Sequence, residues 1–407
     1  MDFMAANNVS SHSDKETDVI IVGAGPAGLS LARALAPSGL SITVVEKQEM
    51  AVLAHPPFDG REIALTHYSK EFMQQLDMWD KIAPDEIYPL RDAKVINGYS
   101  NYQLHFEQPT MARGKPANTL GFLISNHNIR RAAYEAVKAF NNVNIITGHS
   151  IIDVKNDHAN QIEAKLDDGR LIKGKLLVAA DSRFSNTRRQ LGVSAQIHDF
   201  GRTVIVFRMQ HTLSNQHTAL ECFHYGRTLA LLPLEENLTN CVVTINNEHA
   251  GDILAMSPAE LAADITQQLK GKLGEMHLVS TVHHYPLVGV HANAFYAQRS
   301  ALIGDVAVGM HPVTAHGFNL GLSGVGILSK LINEAVSKGK DIGSQTLLAQ
   351  YQRQHMPHTR ILYHGTNAMV SLFTNDSHPA RLMRSLVLRI SNNLPPVKKL
   401  ISKQLTG

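Results

Sequence analysis

The residues of this chain able to do chemistry fall into three strings. The first is Gly23-Ala24-Gly25-Pro26-Ala27-Gly28, after the apolar run Val19 to Val22. A helical pattern follows it (Ala27, Leu29, Leu31, Ala32, Ala34, Leu35), and then a β-branched run from Ser41 that an acid, Glu46, closes. Strand, glycine turn, helix, strand and acid is the order of the dinucleotide fingerprint. Gly23 suits the tight turn, Gly25 the approach of a pyrophosphate, and Gly28 close packing of helix on strand. Free N–H groups at the helix start would meet the phosphate charge. Glu46, 18 residues after Gly28, is placed to accept from ribose hydroxyls. An acid there disfavours a 2′-phosphate, hence NADP, at this site. The motif alone does not choose between FAD and NAD.

The second string is Asp181-Ser182-Arg183-Phe184-Ser185, at the end of the buried-strand pattern Leu176 to Ala180. Ligands of open α/β sheets sit outside the carboxyl ends of strands. A carboxylate there serves either as a loop-capping acceptor or as a cofactor contact, and the spacing leaves both open. The third string is Gly304-Asp305, followed by His311-Pro312 and then Gly317-Phe318-Asn319-Leu-Gly-Leu322. A helix beginning at this last segment would aim its N–H groups at an anionic or electron-rich ring. A plain cap and turn would account for Asn319 but not for the whole string.

The elements that must position these strings can be read from periodicity. Helices are expected over Ser69–Lys81, Asn126–Phe140, Pro258–Leu273, Leu320–Ser337, Ser344–Tyr363 and Ser377–Ser391. Met50 to Gly60 reads as a loop. Val143–Ile146, Ser150–Lys155 and Gln161–Lys165 read as a hairpin meander turning at Asp167-Asp168-Gly169. Between Arg202 and Pro286 the texture becomes that of an antiparallel sheet without a phosphate loop of its own. The fold class is therefore α/β, a Rossmann-like dinucleotide domain with an inserted antiparallel β-sheet domain and a helical C-terminus; the resemblance given below implies the glutathione-reductase type and a substrate role for the inserted sheet. The expected division is a disordered leader over 1–15, a discontinuous cofactor domain over 16–70, 115–182 and 287–335, a sheet domain over 71–114 and 183–286, and C-terminal helices over 336–407.

Bulk properties narrow the classes. A chain of 407 residues is long for one core, and 44% hydrophobic content supports a large one. A net charge of +3 with no aromatic-plus-basic platform argues against nucleic acid. Two cysteines, Cys222 and Cys241, form neither a disulfide framework nor a zinc pattern and read as core thiols. The longest stretch without Asp, Glu, Lys or Arg, Val306 to Ser329, carries five glycines and is a poor membrane span. Residues 378–407 place Arg381, Arg384, Arg389, Lys398, Lys399 and Lys403 among leucines. Such a segment fits either an anionic membrane surface or a packed helix with solvated charges.

Together the strings resemble the class A FAD-dependent aromatic monooxygenases of the para-hydroxybenzoate hydroxylase type. In that family a GxGxxG, a mid-chain Asp-Gly and a later Gly-Asp running into His-Pro and a glycine turn occur in this order. Within it, Arg61-x-x-Ala64-Leu65, Ser125-Asn126-x-x-Ile129, Ala180 to Ser185 and Asn319 to Leu322 are most similar to the ubiquinone-biosynthesis hydroxylases. The resemblance implies FAD as cofactor and NAD(P)H as transient reductant, bound without a Rossmann domain of its own. It implies that Gly23, Gly25 and Gly28 hold the pyrophosphate, with Ala27 and Lys47 in the same set, and that Glu46 holds the adenosine ribose. Arg61 and Asn126 would reach the FAD from flanking elements. Asp181 would lie near cofactor and reductant. Gly304 and Asp305 would meet the ribityl chain, and Pro312 and the amides of Gly317, Phe318 and Asn319 would line the isoalloxazine.

Two departures stand out. The Asp-Gly is Asp181-Ser182, and the usual Gly-Gln-Gly is Ala315-His316-Gly317. His316 reads equally as a turn histidine or as a catalytic base toward a phenol. The implied reaction is hydroxylation of a polyprenylated ubiquinone precursor, a polyprenyl-phenol or quinol, through a flavin C4a-hydroperoxide kept from water. Kept beside it are a hydroxylase of a small soluble phenol or secondary metabolite, a flavin-dependent prenyl reductase, and a non-catalytic flavoprotein subunit of a quinone-synthesis complex. A flavin halogenase is disfavoured, because Trp79 is the only tryptophan and a Trp-x-Trp motif is lacking. The expected location is cytoplasmic, with peripheral contact to the inner membrane or to other ubiquinone-synthesis proteins left open; no metal is expected, and oligomeric state is left open.

Overall fold

The fingerprint folds into strand Lys15–Val22, helix Pro26–Leu35 and strand Ile42–Glu46. Val19, Ile20 and Ile21 are all 0% exposed; burying each contributes about 2 kcal/mol. The structure, a computed structural model, describes residues 15–97, 103–107, 109, 111–112, 114–156, 158–223, 226–311 and 317–374. The leader, Pro312, His316 and the basic C-terminal segment lie outside the described residues, except that Lys15 already belongs to the first strand.

An eight-stranded sheet carries the three strings. Six strands run in the order Val143–Thr147, Ile42–Glu46, Lys15–Val22, Leu171–Ala179, Ile162–Leu166, Ile151–Lys155, and Ser300–Leu302 with Tyr296–Ala297 branches from Leu171–Ala179. The first four are parallel. The beginning of Leu171–Ala179 pairs antiparallel with Ile162–Leu166, while its end, Leu177 to Ala179, pairs parallel with Ser300–Leu302. Three parallel strands thus finish side by side, and Gly23, Asp181 and Gly304 follow their carboxyl ends. Val143–Thr147 is not part of the meander expected from its alternation. It lies beside Ile42–Glu46 at the parallel edge, since helix Asn126–Val137 carries the chain across the sheet face before it.

A nine-stranded sheet forms the second layer, in the order Val308–Gly309, His283–Ala292, Ala195–His211, Leu238–Asn246, Arg227–Pro233, Thr218–Phe223, Asp92–Asn97, Gln103–Phe106, with Met276–Leu278 on the flank of Ala195–His211. Residues 287–292, grouped in sequence with the cofactor domain, run in this sheet throughout. Its outer face packs Ile205, Phe207, Leu229, Leu231, Cys241 and Val243 under helix Pro258–Gln268. That helix begins with a full capping box, Ser257 with Glu260. Helix Asn247–Leu254 went unread in the sequence, as did the single turn Met50–Ala54 inside the expected loop. The helix expected to Lys81 stops at Gln75, because Asp77 turns left-handed (φ 53°) before a short 3-10 turn at Trp79–Lys81.

A three-stranded sheet, Glu62–Leu65, Gly121–Ser125 and Tyr88–Leu90, stands between the two layers. Helices Gly317–Ser337 and Gln345–Thr374 complete the described chain. Among the described residues no helix is long and apolar enough to cross a membrane. Both cysteines are buried; desolvation pushes the Cys222 thiol up to about 12 and Cys241 higher, so neither is a nucleophile at neutral pH.

Candidate active site

At the fingerprint turn the three strings touch. Gly23 sits at φ 104°, and a Cβ there would lie 2.7 Å from the Ala180 carbonyl oxygen and 2.8 Å from Asp181 Cα. A side chain on Gly28 would meet the Gly23 carbonyl oxygen at 2.0 Å, so the helix starts hard against the turn. Gly304, at φ +60°, would place a Cβ 2.9 Å from Ala27, and one on Gly321 would come 3.4 Å from Gly304 Cα. Glycine at these positions is what lets the turn, the second string and the third string share one space.

The acid ending the second strand closes this turn from below. Glu46 is 8% exposed; its Oε2 accepts from the Ala24 N–H at 2.7 Å and its Oε1 from the Gln48 N–H at 2.9 Å. Lys47 beside it is exposed. Gly25 has open space where a side chain would be, and no side chain caps helix Pro26–Leu35, whose first turn carries no acid. An uncapped helix start over an open glycine is the cradle a pyrophosphate requires. The residues present therefore fit the ADP half of a dinucleotide.

Asp181 is held within its own loop, accepting from Ser185 Oγ at 2.7 Å and Thr187 Oγ1 at 3.3 Å. The loop-capping role is the one its geometry shows. Arg183 bridges the second and third strings: Nη2 and Nε donate to Asp305 Oδ2 at 2.7 and 3.2 Å, and Nη1 to the Val288 carbonyl of the roof at 2.9 Å. Buried Arg188 adds bonds to the Arg183 and Val306 carbonyls at 3.1 and 3.2 Å. The Asp305 side chain keeps 42% exposure, so one carboxylate carries the link to Arg183 while still facing the open side.

At the far end Asn319 is fully engaged in positioning. Its Oδ1 accepts from Thr66 N–H at 3.0 Å and Ser69 Oγ at 2.6 Å, and its Nδ2 donates to the Ala64 carbonyl at 2.8 Å. That ties the start of helix Gly317–Ser337 to the strand led by Arg61. Gly317 and Phe318 are half-buried there, Phe318 against the main core. Arg61 pairs with Asp59 at 2.5 Å and lies over the Tyr285 ring at 5.3 Å. Asn126 Nδ2 donates to the same Asp59 at 2.7 Å, and Tyr285 Oη to its backbone carbonyl at 2.6 Å. Burial pushes the Asp59 carboxyl up, but the hydrogen bonds and charge of Arg61, with Asn126, outweigh it and hold the pKa below the ordinary carboxylate range. Arg61 and Asn126, far apart in sequence, thus meet on an acid that sequence reasoning missed.

Three further residues, Glu62, Arg208 and Arg130, were not singled out from sequence. Glu62, with no side-chain exposure, pairs with Arg208 of the roof at 2.5 Å and accepts from Ser125 Oγ at 2.9 Å. Arg130 donates to Gln48 Oε1 at 2.7 Å, one turn along the helix from Asn126. His311 is 5% exposed, its ring edge-on to Phe200 at 5.0 Å; burial, with the Arg202 charge, drives its pKa down to about 3, which favours the neutral ring near pH 7. The i, i+4 spacing of Asn126 and Arg130 was a readable signal. Nothing local marked Glu62 and Arg208, 146 positions apart.

The model of the FAD binding domain family matches residues 16–365. The chain belongs to that family. Ubiquinone hydroxylase UbiM of Neisseria meningitidis serogroup C is 62% identical over 391 residues, covering 96% of this chain and 85% of its own length. The 3-demethoxyubiquinol 3-hydroxylase of Escherichia coli K12 is 26% identical over 396 residues, 97% of this chain and 100% of its own. Among solved structures, p-nitrophenol 4-monooxygenase PnpA from Pseudomonas putida superposes with a TM-score of 0.76 at 16% identity, covering 97% and 99% of the two chains. PqsL of P. aeruginosa in complex with 2-aminobenzoylacetate gives 0.75 at 18% identity, covering 89% and 97%. At such identities these two likenesses speak to the fold. FAD is the dinucleotide of this family, and the open glycine cradle with Glu46 beneath it suits the ADP half of that cofactor.

Proposed function

We propose that this FAD-binding-family chain is a flavin-dependent monooxygenase that hydroxylates the aromatic ring of a polyprenylated ubiquinone precursor, using NAD(P)H and O2. The observation that carries the reading is the 62% identity to a ubiquinone hydroxylase over nearly the whole chain, joined to a glycine cradle built as an FAD site needs. Bound FAD would supply the redox chemistry that activates oxygen. The chain's own residues do the rest. Gly23, Gly25 and Gly28, with Ala27 beside Gly304, admit the pyrophosphate, and Glu46 fixes the turn and offers its carboxylate to the ribose. Arg61 and Asn126, organised by Asp59, reach toward the cofactor from the strand and helix that flank it. Asp305 would meet the ribityl chain, and the amides of Gly317, Phe318 and Asn319, with Pro312, would line the ring of bound FAD. The roof sheet covers this space and excludes water, which protects an oxygen-transferring state from decay.

The working division is the cofactor unit over 16–70, 115–182 and, after the roof strand that ends at Ala292, 293–335, against the sheet unit over 71–114 and 183–292. The greasy tail calls for a membrane-side approach, for which the basic segment 378–407 is the candidate. His316 remains the base proposed for a phenolic proton. The test is aerobic turnover of a short-tailed prenylated phenol, 2-farnesylphenol, with NADH or NADPH. Hydroxylated product by mass analysis is expected. Flavin reduction with O2-independent turnover would favour a reductase, and no flavin reduction by either nucleotide a non-catalytic subunit.

A further inference from the structure

We propose that Glu221 is the substrate-holding side chain of the roof, hydrogen-bonding an oxygen on the aromatic ring of the substrate. This rests on the hydroxylase reading above and names a residue for it.

The argument begins with register. Paired residues of a sheet share a face. Across the roof, the row containing Glu221 reads His283, Val206, Val242, Ala230, Glu221, Val95, Leu104. This face looks toward the cofactor unit. A Cβ on Gly60 would strike Val206 at 2.7 Å, Asn240 Nδ2 donates to the Gly60 carbonyl at 3.2 Å, and Arg208 reaches Glu62. The opposite face packs Cys222, Leu229, Leu231 and Cys241 into the core under helix Pro258–Gln268. Glu221 therefore points to the side where a ring must be held.

Two apolar clusters occupy the inner face. One gathers Val204, Val206 and Leu287 with Val242 and Tyr285. The other gathers Leu104, Phe106, Leu120 and Phe223 with Val95 and Leu372. Ala230 and Glu221 lie between them and belong to neither. Both keep partial solvent access. Apolar clusters flanking one convergent polar group have the composition of a small-molecule site.

That group has no partner among the described residues. The titratable residues of the adjacent strands, Arg227, Asp92 and Lys94, alternate to the outer face, and Arg227 is spent there on Asp264. Arg208 stands three strands away, roughly 14 Å at the usual strand spacing of about 4.8 Å, and is paired with Glu62. His283, at the far end of the row, bonds Thr281. Desolvation alone lifts the Glu221 carboxyl to about 8, so near neutrality it is an uncharged acid able both to donate to and to accept from a ring hydroxyl or carbonyl. The two strands that place Ala230 and Glu221 side by side thus offer the polar anchor that an otherwise greasy substrate needs for a fixed ring orientation.

The experiment compares wild type, Glu221→Leu and Glu221→Gln as FAD-loaded full-length enzymes with 2-farnesylphenol, following KM, coupling of NAD(P)H oxidation to product, and the shift in flavin absorption on substrate binding. Glu221→Leu should bind flavin normally, raise KM about tenfold and release more peroxide per product. Glu221→Gln, which keeps a donor and an acceptor, should stay within about threefold. In wild type KM should rise as pH passes about 8, where the acid loses its proton, and in Glu221→Gln it should not. Unchanged KM and coupling in Glu221→Leu, or the same alkaline rise in Glu221→Gln, overturns the assignment and leaves the hydroxylase reading standing. A probe that perturbs the flavin of wild type and binds tenfold more weakly to Glu221→Leu, with product from neither, supports Glu221 and overturns the hydroxylase reading instead.

Discussion

Glu46 shows how one residue can serve structure and ligand together. Its carboxylate receives the Ala24 and Gln48 N–H groups, so the glycine turn is held before any ribose arrives. Glu46→Ala leaves the buried Ala24 N–H without its acceptor, at a cost of about 1–3 kcal/mol. FAD should then be retained roughly tenfold or more less tightly, read as flavin-to-protein ratio after gel filtration and by titration of the apoprotein. Glu46→Gln keeps an acceptor for Ala24 and should fall between. Full flavin content in Glu46→Ala would remove Glu46 from the site. Asp181 and Asn319 carry a different lesson. Both were picked as candidates from motif position, and both have their side chains engaged in holding loops together, Asp181 with Ser185 and Thr187, Asn319 with Thr66, Ser69 and Ala64.

Among the elements, the decisive contact is between the roof and the small three-stranded sheet. Arg208 crosses from one to the other and meets Glu62, whose side chain has no exposure. Desolvation pushes the Glu62 carboxyl up, opposed by the charge and hydrogen bond of Arg208 and by the hydrogen bond from Ser125, with a small upward push from Asp59. Arg208→Met should cost about 3–5 kcal/mol by leaving that carboxylate unpaired, seen as a lower midpoint in urea. Arg208→Met with Glu62→Met should recover most of it; a double variant as unstable as the single one would show that the contact matters for shape, not charge. The helices were legible because their apolar faces repeat with period 3.6, as in Asn126–Val137. The meander was misjudged at Val143–Thr147 because alternation reports a strand and not its neighbour; a crossover helix put it beside Ile42–Glu46.

For the whole molecule, the long helix Gln345–Thr374 fastens roof and cofactor layers through buried histidines. His291 of the roof bonds the Thr359 hydroxyl of that helix at 3.1 Å, and His355 packs on Phe295 and Tyr351. Desolvation lowers both, each to about 4. A histidine whose folded pKa lies below its unfolded value contributes stability fully above the unfolded value, about 6.5, and loses it as pH falls through the window down to about 4. Each could contribute about 3 kcal/mol at most. The urea midpoint should therefore fall between pH 7 and pH 4.5, and less steeply in His291→Gln; a flat profile in wild type would remove these histidines as the cause.

Sequence alone determined the dinucleotide turn, because its chemistry is local: three glycines and an acid at fixed offsets on one strand–helix–strand unit. It also determined the order of the other two strings and, through them, the family. What only the tertiary structure decided is which distant groups meet. Parallel pairing of Lys15–Val22, Leu171–Ala179 and Ser300–Leu302 brings three carboxyl ends together, so that Ala27 touches Gly304 and Gly23 touches Ala180. Register across the roof turns Glu221 inward and Cys222 outward, a choice that alternation leaves open until the neighbouring strands are known. Side-chain chemistry is written in the sequence; the pairing of strands sets which of it shares a cavity.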